Sequence, residues 1–302
     1  MSTSARASDN IDTPNGLAFA ISAYFLWGFL PIYLKWLDHI PPAEVVAHRI
    51  IWSVPIAAAV LLALRRTSDL RAILSDPKAL ALGCLTAGLI SVNWGIYVWA
   101  IATNQAIDAA LGYYINPLFS IALAALVLGE RPTGLQFVAI GLAAAAVVVL
   151  TVATGRLPLV AIGLTVSWGL YALCKKSLPI GPNQGFLLEV LILSFPALGY
   201  LGLLAIRGDG HFGVTFESTW LLMGCGIVTA IPLMLYSNGA KLLRLSTIGI
   251  LQYIAPTLIF LVAVFVFGEE FDLPRRIAFP MIWAALVIYS IPMIRQMRQA
   301  AS

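Results

Sequence analysis

Residues 114–130 read YINPLFSIALAALVLGE, and residues 253–269 read YIAPTLIFLVAVFVFGE. Each copy opens with Tyr-Ile-x-Pro, continues as an apolar run and ends with Gly-Glu. A proline interrupts helical hydrogen bonding, because it lacks the N–H group that the carbonyl four residues earlier would accept. The repeated pattern therefore predicts a duplicated membrane unit with a broken helix at the matching place in each half.

The composition is that of a membrane protein. Of the 302 residues, 60% are hydrophobic and 11% are charged, and the mean hydropathy is +0.92, whereas soluble domains are roughly 45–50% apolar. Apolar segments such as 135–150 are long and unbroken, unlike the alternating strands of a transmembrane barrel. We therefore predict an all-α polytopic membrane protein.

Ten apolar runs follow the polar residues 1–15, which we predict to form a disordered cytoplasmic segment. The runs cover about 16–36, 43–64, 79–101, 107–128, 133–152, 158–176, 185–206, 218–240, 246–267 and 275–294. An even number of spans places both termini on one side, and the connections on that side hold most of the Lys and Arg residues. The positive-inside bias therefore predicts cytoplasmic termini, including a tail at 295–302, and accounts for the net charge of +4 without a nucleic-acid-binding patch.

The internal repeat extends over most of the chain. Trp27-Gly28 matches Trp168-Gly169 at an offset of 141 residues, and Tyr97 matches Tyr236 at an offset of 139. The two units, 16–152 and 158–294, hold five predicted helices each. Because five is odd, the second unit should be inverted relative to the first, giving a 5+5 inverted repeat of ten transmembrane helices. Inverted units can exchange conformations, so this architecture favours transport over catalysis.

Two charged residues lie within predicted spans, where ionisable groups are costly and usually functional. Arg49 lies about two turns into the second helix, beside His48, and the repeat equivalent of His48 is Glu189. In one interpretation, Arg49 and Glu189 form a structural ion pair. In the other, both face a cavity, with Arg49 available to a carboxylate or phosphate and Glu189 to an amine or a proton. His48 is either a group that couples movement to protons or a packing histidine.

Polar and aromatic residues surround the two proline breaks and form the second group of candidates. Pro117 and Pro256 free the carbonyls of Tyr113 and Gln252, and such carbonyls are tolerated in a membrane where neighbours or a polar cavity satisfy them. Trp27 and Trp168 could give an aromatic face to a ligand, or could mark close helix crossings at the following glycines. The remaining residues of the predicted cavity wall are Asn93, Trp94, Tyr97, Tyr114, Asn116, Tyr236, Gln252 and Tyr253.

Signatures of catalysis are missing from the sequence. It contains no Walker-type loop, no His-Glu-x-x-His and no Gly-x-Ser-x-Gly. The cysteines Cys84, Cys174 and Cys225 lack paired or metal-type spacing and are interpreted as small packing residues. We therefore predict no cofactor, no metal and no enzymatic activity.

Several motifs resemble those of the EamA branch of the drug/metabolite transporter superfamily, and more narrowly its RarD subfamily of bacterial inner-membrane permeases. Besides the two copies of the opening pattern, they are Ala23-Tyr24 with Trp27-Gly28, Ala47 to Ile50 with Trp52-Ser53, Asn93-Trp94, and Tyr113 to Leu118. The second half is looser, with Ala255 where the first copy has Asn116. The resemblance implies ten helices, cytoplasmic termini, a central cavity and movement of small organic molecules across the bacterial inner membrane. It adds Tyr24 to the candidate substrate-binding residues.

The resulting hypothesis is a secondary transporter that works by alternating access. Arg49 would bind the acidic group of an amino acid, a related metabolite or an amphenicol-like drug, and aromatic residues would enclose the remainder. The expected partners are this small organic substrate, the lipid bilayer and, as coupling ion, protons, while the oligomeric state has no signature in the sequence. The alternative is a non-transporting membrane sensor or assembly scaffold, which predicts a packed centre without a cavity.

Overall fold

A computed structural model describes residues 12–63, 76–128, 132–176, 178, 180–240, 242–243 and 245–299. The predicted disorder of the N-terminal segment falls mostly on residues 1–11, which lie outside this part of the chain. So do residues 300–302, and so does the Gly129-Glu130 pair that ends the first copy of the repeated motif.

The described residues form eleven α-helices and one π-helical turn, with no strand. The helices are α1 Pro14–Lys35, α2 Pro42–Ala63, α3 Pro77–Ala102, α4 Ala106–Leu128, α5 Gly134–Thr154, α6 Leu159–Lys176, α7 Pro182–Arg207, α8 Phe216–Ala240, α9 Leu245–Leu251, α10 Ile254–Leu261 and α11 Leu273–Gln299. The π-helical turn, Val262–Val266, continues α10 directly.

Each of the ten predicted apolar runs falls on helical structure. The ninth run is divided among α9, α10 and the π-helical turn, and α11 extends five residues beyond the predicted end of the tenth, into the predicted tail. Eight segments of the described chain are long and apolar enough to cross a membrane, Leu159–Lys175 is a shorter apolar helix, and α11 is not among the eight. The structure thus confirms an all-helical polytopic membrane protein, and the count of ten spans stays a prediction.

The two proline positions behave differently. At Pro256 the helix is broken as predicted, because α9 ends at Leu251 and α10 begins at Ile254. The side chain of Gln252 donates to the carbonyl of Gly249 at 3.0 Å, and the Tyr253 N–H bonds to Ile250, three residues back. At Pro117 the prediction of a break is wrong, because α4 runs through it. The residue equivalent to Gln252 is Tyr113, whose side chain cannot form the same local bond, and one missing donor alone does not end a helix.

Helix packing follows the internal repeat. Helix α2 packs on α7, α4 on α10 and α5 on α11, and each of these pairs joins equivalent helices of the two units. Most of the remaining major contacts come in matched pairs, α1 on α8 with α6 on α3, and α1 on α10 with α6 on α4. The contact of α2 with α8 is more extensive than its equivalent, α7 with α3. Exchanging the two units therefore preserves most of the main helix contacts.

Glycines set the closest approach at equivalent places in the two units. A Cβ atom at Gly28 of α1 would lie 2.5 Å from Leu258 Cβ of α10, and one at Gly169 of α6 would lie 2.5 Å from the ring of Phe119 on α4. Gly169 and Phe119 are the repeat equivalents of Gly28 and Leu258. Close helix crossing at the following glycine, one of the two explanations offered for Trp27 and Trp168, therefore occurs in both units.

Residues 269–275 are tied to the N-terminus of α4. The carboxylate of Glu269 accepts the N–H groups of Ala106 and Ile107, at 2.7 and 2.9 Å, and so satisfies the N-terminus of α4. Burial raises the pKa of the Glu269 carboxyl above its ordinary value, although the two N–H groups and Arg275 act in the opposite direction. Beside it, Arg275 pairs with Asp108 at 3.2 Å.

The glycine contacts give a test of the packing. We expect Gly28→Ala to lower the melting temperature of the detergent-purified protein by several degrees, because pushing α1 from α10 should cost about 1–3 kcal/mol. The control is Gly88→Ala on α3, where an added Cβ meets nothing within 4 Å. Equal melting temperatures for the two variants would contradict the close crossing.

Candidate functional site

A cavity of about 110 Å³ lies between helices of the two repeat units. A water molecule needs only about 10–15 Å³ of such space, so the cavity can hold several. Side chains from α1, α2, α3, α4, α6 and α8 and from the α9–α10 segment form its wall. The lining residues are Tyr24, Trp27, Leu30, Arg49, Ile90, Asn93, Trp94, Tyr97, Tyr113, Asn116, Trp168, Thr229, Leu233, Gln252, Ala255, Pro256 and Ile259.

Arg49 is the charged group of this cavity, and its side chain is almost completely buried. The residue is 3% exposed, and its Nε donates to Thr229 Oγ1 of α8 at 3.0 Å. Its guanidinium carbon lies 5.2 Å from the centre of the Trp94 ring, a cation–π distance. Within the described chain, no carboxylate pairs with Arg49, and its Nη1 has no hydrogen-bond partner. The cation is thus held in place but not neutralised.

The polar groups around Arg49 divide into those that are satisfied and those that are not. Asn93 donates to Leu164 O and Ser167 Oγ of α6, at 3.2 and 2.9 Å, and accepts from Tyr113 at 3.4 Å, so it joins α3, α4 and α6. By contrast, the hydroxyl of Tyr97 and the Oδ1 of Asn116 are buried without partners among the described residues. Buried polar atoms normally have a hydrogen-bond partner, so these two atoms are available to bond with water or a ligand.

Glu189 does not line the cavity and does not pair with Arg49. Its carboxylate, 1% exposed, accepts from Lys175 Nζ at 2.6 Å and from the Tyr171 hydroxyl at 3.2 Å. The proposed ion pair of Arg49 with Glu189 is therefore wrong, and the actual ion pair joins α6 to α7. Lys175, near the end of α6, supplies the positive charge.

Four further candidates also point away from the cavity. His48 stacks on Phe212 at 5.0 Å and accepts from Trp52 Nε1 at 3.2 Å. Tyr114 bonds to Thr257 at 2.7 Å and packs against Phe279 of α11. Tyr236 lies behind the lining rings of Tyr24 and Trp27, at 5.8 and 5.6 Å, and Tyr253 is half-buried outside the cavity wall.

Among the predicted candidates, the cavity brings together Tyr24, Trp27, Arg49, Asn93, Trp94, Tyr97, Asn116, Trp168 and Gln252. Two polar lining residues, Tyr113 and Thr229, were not predicted. Tyr113 could have been found, because its carbonyl was already identified as the one that Pro117 frees. Thr229 carries no signal in the sequence, since its role depends on α8 lying against α2.

The arrangement combines one cation, a few hydrogen-bonding groups and a largely aromatic and aliphatic wall. Ligand sites in proteins commonly have this character, with an apolar pocket and a small number of polar groups that fix orientation. The described residues of the wall include no nucleophile paired with a base. A wall of this composition is suited to holding a small organic molecule.

Comparison with known proteins gives consistent family matches. Residues 14–152 match the EamA-like transporter family. Protein RarD of Streptomyces exfoliatus is 40% identical over 94% of this chain and 91% of its own length. An uncharacterized transporter of Vibrio cholerae is 40% identical, covering 94% of each chain. The chloramphenicol-sensitive protein RarD of Pseudomonas aeruginosa is 30% identical over 95% of this chain and 97% of its own.

A solved crystal structure supports the fold. It superposes with a TM-score of 0.58 over 90% of this chain and 96% of the other, at 21% identity.

The bond between Arg49 and Thr229 can be tested by stability. Thr229→Val keeps the shape but removes the acceptor of a buried guanidinium, so we expect a loss of about 1–3 kcal/mol in the free energy of unfolding. Thr229→Ser keeps the hydroxyl and should lose less. The control is Thr86→Val, because Thr86 is equally buried but donates only to Gly83 of its own helix. An equal fall in melting temperature for Thr229→Val and Thr86→Val would argue against the bond.

Proposed function

The chain belongs to the EamA-like transporter family, in its RarD-type branch, and from this premise we propose that it is a permease that works by alternating access. Its substrate is a small zwitterionic or anionic metabolite, such as an amino acid or a related compound, or an amphenicol-like drug that resembles one. The membrane that it crosses is the bacterial inner membrane.

The observation that carries this proposal is the buried and unneutralised guanidinium of Arg49. A charge removed from water is costly unless it is paired, and breaking a buried pair typically costs several kcal/mol. A ligand that supplies a negative charge would offset this cost, so an unpaired cation beside a cavity favours binding of an anionic group. Arginine is suited to this role because its planar fork matches a carboxylate or phosphate.

Alternating access requires two arrangements of similar energy, and the matched helix packing of the two units supports this. In our proposal the chain crosses the membrane ten times, so that each five-helix unit is odd and the second is inverted. The interchangeable neighbours of the units, and the equivalent contacts of Gly28 and Gly169, fit that arrangement.

In the proposed topology, the contacts around the N-terminus of α4 lie on the side of the membrane opposite the termini. They indicate on which side the protein is closed. Two of these contacts cross between the units there, Glu269 with the N-terminus of α4 and Arg275 with Asp108. Lys35 bonds to Asn104 at 2.9 Å within the first unit. We infer a conformation closed on this side, which opens when these bonds exchange partners with water. Protons remain the proposed coupling ion, with Glu189 as the group that accepts them once Lys175 moves away.

The alternative of a sensor or scaffold predicts a packed centre. A cavity with unpaired polar atoms at the junction of the units does not fit that expectation, because a purely structural centre would satisfy or exclude such atoms. Transport therefore remains the better hypothesis.

The proposed topology predicts that both termini lie in the cytoplasm. A green fluorescent protein fused after Ser302 should fluoresce in bacterial cells, whereas alkaline phosphatase fused at the same place should be inactive. Active phosphatase with a dark fluorescent fusion would place the C-terminus outside and would be incompatible with an even number of spans from a cytoplasmic N-terminus.

The role of Arg49 can be tested in proteoliposomes. We expect uptake of at least one compound from a panel of amino acids, aromatic carboxylates and chloramphenicol. Arg49→Gln should weaken uptake by roughly 10- to 100-fold, because a charge-assisted bond is worth about 1.5–3 kcal/mol. The control is Arg207→Gln at the exposed end of α7, which should transport like the wild type. If Arg49→Gln also matched the wild type, the proposed site would be wrong.

A further inference from the structure

The charges around the cavity are one-sided. Among the described residues that form its wall, Arg49 is the only charged one, and none is a carboxylate. The acidic residue predicted to meet an amine, Glu189, lies elsewhere and is already paired with Lys175 at 2.6 Å. The wall therefore presents a single positive charge.

A zwitterion would be bound poorly by such a wall. The ammonium group of an α-amino acid lies close to its carboxylate, so docking the carboxylate on Arg49 brings two like charges together in a medium less polar than water. The ammonium group has three N–H donors, and its loss of hydration must be compensated by acceptors. Among the described lining residues, the buried acceptors left without a partner are Asn116 Oδ1 and the Tyr97 hydroxyl, and both are neutral.

An anion finds better partners. The Nη1 of Arg49 and the hydroxyl of Tyr97 are both buried, both lack partners in the described structure and both can donate. Thr229 holds the guanidinium through Nε, which leaves the opposite edge of the group to the ligand. One negative charge neutralises Arg49, whereas a second would be left uncompensated.

The rest of the wall favours an anion with an apolar organic body. Trp27, Trp94, Ile90 and Ile259 offer aromatic and aliphatic surface, which favours an organic anion over an inorganic one through burial of apolar area.

We propose that this cavity selects organic monoanions, namely carboxylates with an apolar body and no amino group, over amino acids. The inference rests on the proposed transport function at the same site and narrows its substrate class. It follows from three features together. The wall has a single cation, Glu189 is paired with Lys175 outside the wall, and the donors of Arg49 and Tyr97 lack partners in the described structure.

The experiment compares three probes of nearly equal shape, 3-phenylpropanoate, L-phenylalanine and 3-phenylpropanamide. Binding of each is measured calorimetrically to the full-length protein in lipid nanodiscs at neutral pH. We expect 3-phenylpropanoate to bind at least about 10-fold more tightly than the other two, the factor that corresponds to one charge-assisted bond. Arg49→Gln should remove the difference between the carboxylate and its amide.

A second variant reverses the charge balance without changing the shape of the site. Asn116→Asp places a carboxylate in the wall and should weaken 3-phenylpropanoate while improving L-phenylalanine, so that their order approaches equality or inverts. Thermal unfolding of each variant establishes that it is folded.

The outcomes separate the inference from the function on which it rests. If L-phenylalanine binds as tightly as 3-phenylpropanoate, and Arg49→Gln weakens both, the site binds acids but the monoanion inference is overturned. If Arg49→Gln changes the binding of no probe, or no probe binds to the wild type, the inference is overturned together with the role proposed for Arg49.

Discussion

Burying the guanidinium of Arg49 is the constraint around which the centre of this protein is organised. A cation inside a bilayer is stable only if its donors are engaged and its charge is shared with polar or polarisable neighbours. Thr229 engages Nε, and the ring of Trp94 faces the charge. Because these partners come from α8 and α3, the position of Arg49 fixes how three helices meet. The same residue lines the cavity between the units.

Duplication explains why so much of the fold is visible in the sequence. A helix pair that packs well in one unit packs well in the other, so the same signals occur twice, as at Gly28 and Gly169. The signals fail where equivalent positions hold different side chains. Tyr113 and Gln252 stand four residues before the two prolines, but only the glutamine bonds back to its own chain, and only there does the helix break.

The site was predicted less completely, for a reason that lies in helix geometry. Successive residues of an α-helix point about 100° apart, so neighbours in sequence need not share a face. Arg49 lines the cavity while His48 stacks on Phe212, and Tyr113 lines it while Tyr114 turns to α11. Proximity to a charge or a proline therefore identified the right turn of each helix, but only some of the side chains that face the cavity. The partnership of Arg49 with Thr229 depends on contact between helices, which one sequence does not encode locally.

The two units share the same order of helices but differ in their charged residues. This difference places the positive charge on one side of the cavity. The repeat equivalent of Arg49 is Val190, a fully buried apolar residue, so the duplication supplies one cation and not two. The equivalents of Leu34 and His48 are Lys175 and Glu189, which form an ion pair where the first unit has an aliphatic residue and a stacked ring. A symmetrical pair of units would hold a ligand equally well in two orientations. With its cation on one unit alone, the proposed site would bind the acidic end of a ligand at a single place, and under the proposed alternating access the two conformations would differ in how they surround that place.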